Sequence, residues 1–133
     1  MRYLLDTCTI SYYLRLNNNV IKHITAIKSI DLAISVITVL EIECGFKLNN
    51  NQSLRDKWFL LCKQLNILGV EHKTALIAAE IKASLTKQGK IIGYYDILIA
   101  ASALEYNLIC VTNNTKEFER IKGLSIADWS IAS

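Results

Sequence analysis

Arg2-Tyr3-Leu4-Leu5-Asp6-Thr7 opens the chain with an apolar run too short for a helix and ended by an acid. Such a run predicts a brief buried β-strand over residues 2–5, with Asp6 where the strand leaves the sheet. The same signature recurs at residues 32–35, 67–70, 108–111 and 125–127. Between these runs, apolar residues recur at helical spacing. Helices are predicted over residues 9–16, over 20–27, through Glu41 to about 46, over 54 to about 65, over 74–85 to a stop near Gly89, and from Asp96 to about 106. Asn17-Asn18-Asn19 and Asn49-Asn50-Asn51 are breaks, and Ser35 or Thr38 can cap the third helix. Strands alternating with helices predict an α/β fold with a short-stranded, mainly parallel sheet and helices on both faces. Ligands of such sheets bind beyond the carboxyl ends of the strands.

Composition narrows the function. The 133 residues fall within the range of one domain and are 52% hydrophobic, enough for a core. No run is long enough to span a membrane, and the opening lacks the stretch and cleavage site of a signal peptide, so a cytoplasmic protein is expected. The charge of +3 leans only weakly toward a polyanionic partner. Cys8, Cys44, Cys62 and Cys110 form no C-x-x-C pair, and with two histidines a structural zinc site is not expected; free, mostly buried thiols are.

Three acids stand where acids are costly. Asp6 ends an apolar run, Glu41 lies inside Val39-Leu40-Glu41-Ile42, and Asp96 separates Gly93-Tyr94-Tyr95 from Ile97-Leu98-Ile99. Carboxylates in apolar surroundings need a donor or a cation. Asp6 and Asp96 can each be read as helix N-caps. Glu41 can be read as a solvent-facing residue, as its neighbour Glu43 is expected to be. Gly45, one turn after Glu41, leaves room beside it. Taken together, acids at strand ends and nearby helix starts can converge on one crevice, where a hard divalent cation would offset their repulsion. Other chemistries lack their residues. There is no G-x-S-x-G, no glycine-rich phosphate loop, and no second acid two positions after Asp6; neither His23 nor His72 is expected to be catalytic.

The chain resembles the PIN-domain ribonucleases, and among them the VapC toxins of bacterial type II toxin–antitoxin pairs. The matching stretches are Tyr3-Leu4-Leu5-Asp6-Thr7, the run from Ile34 through Glu41 with Gly45, Gly93-Tyr94-Tyr95-Asp96 with Ile99-Ala100-Ala101, Val111-Thr112-Asn113-Asn114 with Glu117-Phe118, and Asp128-Trp129. They follow one another in the family's order over almost the whole chain, and the last two are similar to the branch that cuts initiator tRNA(fMet) in the anticodon stem-loop.

The resemblance implies a single PIN-like three-layer α/β/α nuclease domain over residues 1–133. Asp6 and Asp96 would be the main ligands of Mg²⁺ or Mn²⁺, Glu41 the third acid, and Asn114 or Glu117 the fourth position. Thr7 and Thr112 would be accessory. Cys8 stands where the family commonly has Asn. The implied activity is metal-dependent endoribonuclease cleavage leaving 5′-phosphates, which would inhibit translation. The implied partners are an RNA substrate, expected to be a tRNA, a cognate VapB-type antitoxin, operator DNA only through that antitoxin, and a second copy in a homodimer. The apolar helices at residues 36–46 and 54–65 can supply the antitoxin surface, and core packing explains them equally well. Lys82, Lys87 and Lys90 are candidates to meet the RNA backbone, beside the plainer reading of solvated surface lysines, and Tyr94 or Tyr95 can stack on a base, although packing is the favoured reading of both. The competing reading is a non-catalytic PIN-like domain that binds antitoxin or RNA without cleavage; it would be expected to lose Asp6 or Asp96 first.

Overall fold

The structure, a computed structural model, describes residues 1–132. Five strands form one sheet: β1 (Tyr3–Leu5), β2 (Leu32–Ser35), β3 (Asn66–Leu68), β4 (Ile109–Val111) and β5 (Ile126–Ala127). Their order is β3-β2-β1-β4-β5, and every pairing is parallel. The chain builds from β1 toward β3 on one side, then returns to β4 on the other. The order therefore reverses beside β1, and a crevice opens there at the carboxyl ends of β1 and β4.

Seven helices cover the sheet: α1 (Thr7–Leu14), α2 (Asn18–Ala26), α3 (Val36–Leu48), α4 (Gln52–Gln64), α5 (His72–Lys87), α6 (Tyr94–Glu105) and α7 (Thr115–Phe118). Each strand sends successive side chains to opposite faces. Leu4, Ala33 and Cys110 pack with Ile81 and Leu85 of α5 and with Ile99 and Ala100 of α6. Leu5, Ile34 and Val111 pack with Ile10 of α1, Val20 of α2, Phe46 of α3 and Trp58 of α4. Two cores on two faces make the layered α/β/α architecture. Ala100, Ala101 and Ala103 are fully buried, which lets α6 lie close against the sheet.

Several predicted boundaries move, each for a local reason. Helix α1 begins at Thr7 because Asp6 is itself the cap. Asn17 does not merely break the chain: its side chain accepts the Val20 N–H at 3.1 Å and starts α2. Asn51 starts α4 in the same way. Of the two cap readings for α3, Ser35 is the cap, its hydroxyl accepting the Ile37 N–H at 3.0 Å. Strand β3 ends at Leu68 rather than residue 70, and is held by Asn66, which donates to the carbonyls of Ile30 and Leu32. Gly89 stops α5 with φ +69°, a conformation that costs other residues more than glycine. Helix α7 and a 3₁₀ turn at Ser29–Asp31 lie outside the sequence expectation. All four cysteines are free, but Cys8 and Cys44 are exposed and only Cys110 is fully buried. No helix among the described residues is long and apolar enough to cross a membrane.

Leu4 sits at the centre of the sheet with no solvent exposure. Leu4→Ala should lower unfolding stability by about 2–5 kcal/mol, read from the urea midpoint at unchanged slope. Leu48→Ala, at a side chain 84% exposed, should stay within about 0.5 kcal/mol of the parent. Equal effects would contradict the burial pattern.

Candidate active site

Asp6 leaves β1 and starts α1. Its Oδ1 accepts the Thr9 N–H at 2.8 Å, and the Thr112 side chain lies close enough to favour the charged carboxylate. The residue is 2% exposed. Burial pushes the Asp6 carboxyl up from its ordinary value and the charge of Glu41 adds to this, while the bonds from Thr112 and Thr9 pull it down. The Asp6 backbone N–H donates to the Val111 carbonyl at 3.0 Å, and the Thr9 hydroxyl donates to the same oxygen at 2.9 Å. The end of β1 and the start of α1 are thus fastened to the end of β4.

Asp96 lies in the first turn of α6 and is not its cap; Gly93 holds that position. The difference matters, because no backbone N–H of its helix occupies the carboxylate as a cap would require. Its carboxyl is pushed up to about 6, first by burial and then by the charges of Asp6, Glu41 and Glu117. Glu41 projects from α3, and its Oε1 accepts from the Thr7 hydroxyl at 2.6 Å. That hydroxyl lies 3.2 Å from the hydroxyl of buried Thr38. Glu43, expected to face solvent, instead accepts the Trp58 indole N–H at 2.7 Å on the other side of α3.

After β4, Thr112 accepts the Asn114 N–H at 2.9 Å, and the Asn114 amide donates to Glu117 at 2.8 Å. Asn114 is thereby turned toward Glu117, the acid of the pair. The thiol of Cys8, an exposed residue beside this group, is pushed up to about 11, first by desolvation from the surrounding protein and then by Asp6, Asp96, Glu41 and Glu117. It stays a neutral thiol at physiological pH. The same four charges therefore act on one point, so Asp6, Glu41, Asp96 and Glu117 share one acidic neighbourhood, of which Glu41 and Asp96 line a common hollow. Neither histidine belongs to it: His23 stacks on Trp129 at 4.8 Å between ring centroids, and His72 is an exposed residue at the start of α5.

No lysine or arginine is ion-paired with these four acids among the described residues; the ion pair present joins the Met1 amine to Asp31 at 3.9 Å. Nor, among those residues, do three or more His, Cys, Asp or Glu side chains form a group already set to hold an ion. Uncompensated carboxylates repel one another and do not close into a cage unaided. The donor set nevertheless fits a hard cation. It is all oxygen, partly buried and net negative, and Mg²⁺ commonly takes one or two carboxylates directly while keeping several waters.

Two hollows meet at Glu41. One, of about 410 Å³, is lined by Glu41, Gly93, Tyr94, Tyr95 and Asp96. The other, of about 420 Å³, runs between α1, α3 and α4 past Thr7, Arg15, Gly45 and Asn51. A Cβ on Gly45 would meet nothing within 4 Å, in keeping with an open groove. Sequence reasoning missed Thr9, Thr38 and Arg15. Thr9 read as an ordinary helix residue, Thr38 as a candidate cap, and Arg15 as a helix end; no local pattern marks their place at the site.

Residues 3–124 match the PIN domain family, and the chain belongs to that family. Its relatives there are VapC proteins. The tRNA(fMet)-specific endonuclease VapC of Salmonella typhimurium is 31% identical over 134 residues, spanning 97% of this chain and 98% of the relative. Ribonuclease VapC2 of Haemophilus influenzae is 36% identical over 143 residues, spanning 97% and 98%. Among solved structures, VapBC2 from Rickettsia felis bound to a DNA fragment from its promoter superposes with a TM-score of 0.88 at 28% identity, covering 97% of this chain and 99% of that one.

The raised carboxyls give a signed pH dependence. Asp96 titrates near 6 in the folded protein against an ordinary 3.8, so the fold favours its protonated form. That contribution is fully present below about pH 4 and is lost as pH rises through about 6; Asp6 shifts in the same direction. In EDTA, Asp96→Asn should therefore gain Tm over the parent as pH rises from about 4 to about 7, with the difference levelling off above. A difference that is flat or shrinks over this window would contradict the placement of Asp96.

Proposed function

We propose that this protein is a divalent-metal-dependent endoribonuclease, the toxin of a toxin–antitoxin pair, and that it cuts RNA in an unpaired loop, with initiator tRNA as the substrate. One observation carries the chemistry: Asp6, Glu41, Asp96 and Glu117 share one acidic neighbourhood at the sheet's switch point, with no cationic side chain paired to them among the described residues. Buried negative charge of this kind costs stability and is kept where it has a use. A non-catalytic domain would have no such use for it.

Asp6 and Asp96 would hold the ion, with Glu41 joining directly or through water and Glu117 at the margin. When bound, such an ion supplies an activated water and stabilises the departing 3′ oxygen of the phosphodiester. The chain's own residues position the acids. Thr9 and Thr112 fix the Asp6 carboxylate, Thr7 aims Glu41, and Asn114 aims Glu117. The fit to a tRNA substrate rests on relatives from Salmonella and Shigella whose names specify tRNA(fMet), the latter 42% identical over half of the chain.

Asp6→Asn or Asp96→Asn should reduce RNA cleavage by about a hundredfold or more while the protein stays folded, whereas His23→Ala and His72→Ala should cut normally. EDTA should stop cleavage, Mg²⁺ or Mn²⁺ should restore it, and the fragments should carry 5′-phosphate and 3′-hydroxyl ends. Cyclic-phosphate ends formed in excess EDTA would refute the mechanism.

The antitoxin reading is supported by neighbours solved as VapBC complexes and by the groove between α1, α3 and α4 that runs to Glu41. Exposed Leu40, Phe59 and Leu60 on α3 and α4 add apolar surface. Expressed with its genomic neighbours, the protein should co-purify with a small antitoxin and be inactive until that partner is removed. Full activity in the co-expressed state would overturn the pairing.

A further inference from the structure

A third hollow, of about 470 Å³, lies beside the acidic one, and the two share Gly93 and Tyr94. Its rim differs in sign: Lys82 and Lys90 line it, together with Ile91, Ile92 and Ile97. Both hollows fall within the roughly 300–1,000 Å³ typical of small-ligand sites. The Tyr94 ring stands between them and is 69% exposed. It is not loose. The Lys82 ammonium lies 4.3 Å from the ring centroid and donates to the Tyr94 hydroxyl at 3.2 Å. The lysine sits over one face of the ring and leaves the other available. Ile91, 85% exposed, extends the apolar floor. Lys87 does not line this hollow, and Tyr95 lines only the acidic one.

We propose that Tyr94, Lys82 and Lys90 form a single-strand subsite: an unpaired base next to the cleaved bond stacks on Tyr94, and a neighbouring phosphate lies against the two lysines. This rests on the ribonuclease reading above. Opposite charges on the two sides of the ring carry the assignment. The phosphodiester to be cut belongs with the carboxylates and their cation; its neighbour along the strand, which meets no cation there, belongs with the lysines. The aromatic wall between them matches the base between two phosphates. A stacked base must be free of its own helix, so the subsite selects looped or single-stranded RNA over duplex. Lys82 sets the ring's orientation in advance, which lowers the entropy lost when the base arrives.

The test measures binding, in EDTA so that nothing is cut, of a short fluorescent oligoadenylate, the same backbone with abasic residues, and an RNA duplex of equal length. Tyr94→Ala should weaken oligoadenylate binding about tenfold, Tyr94→Phe should stay within about twofold, and the abasic strand should bind equally to the parent and Tyr94→Ala. Lys82→Ala and Lys90→Ala should weaken both strands and each lower the salt slope by about 0.7. With cations restored, Tyr94→Ala should raise KM and leave kcat nearly unchanged. Tyr94 is exposed, so its loss should leave the melting temperature unchanged. Oligoadenylate binding by Tyr94→Ala equal to that of the parent, or an equal loss on the abasic strand, would overturn the subsite. A parent that binds oligoadenylate through Tyr94 yet cuts no RNA would overturn the ribonuclease reading instead. A parent that binds no single strand would overturn both.

Discussion

The hydrogen bond from the Thr9 amide to the Asp6 carboxylate is the contact around which the site is organised. It lets one buried side chain serve two purposes. As a cap it starts α1 directly at the end of the central strand, and as a carboxylate it places negative charge at the point where the sheet's order reverses. An uncapped acid at 2% exposure would be driven to its neutral form, while a fully satisfied cap at the surface would offer nothing to a ligand. The second tie, from the Asp6 N–H and the Thr9 hydroxyl to the Val111 carbonyl, fixes this acid relative to β4 and so to Glu117 beyond it.

The remaining acids follow from the same geometry. Parallel strands end on one edge of the sheet, and the helices that follow them begin there. Asp6 and Glu117 come from segments that leave β1 and β4, Glu41 from the helix after β2, and Asp96 from the start of α6. Four carboxylates far apart in sequence come within electrostatic reach of one another, and each is oriented by a short polar neighbour, except Asp96. That one lies in a helix's first turn without being its cap, and it titrates near 6. Tyr94 and Lys82 stand just outside, where a hollow lined by acids adjoins one lined by lysines.

Most of the fold was legible because the strand runs are short, apolar and separated by helical spacing. The run from Tyr3 to Leu5 and the break at Asp6 define the central strand without ambiguity. Boundaries were less legible where a polar residue acts as a cap. Asn17 and Asn51 read as breaks, yet their side chains begin helices. Asp6, Glu41 and Asp96 were conspicuous because acids inside apolar runs violate the cost of burial. Thr9 was invisible and Thr38 read only as a possible cap, since a threonine in a helix carries no mark of what its hydroxyl meets across the fold. Glu43 misled for a similar reason: its partner, Trp58, is fifteen positions away on another helix.

The sheet closes with β5, a strand of two residues that comes last in the chain. It bonds to β4 through Cys110 and Thr112, whose N–H groups donate to the carbonyls of Ser125 and Ala127 at 2.8 and 2.9 Å. Thr112 in turn holds Asp6. Beyond β5, Trp129 packs against Tyr3 and His23, clasping the first strand and the second helix. A change confined to β5 or Trp129 would therefore reach the Asp6 end of the crevice through β4 and β1, although neither borders it.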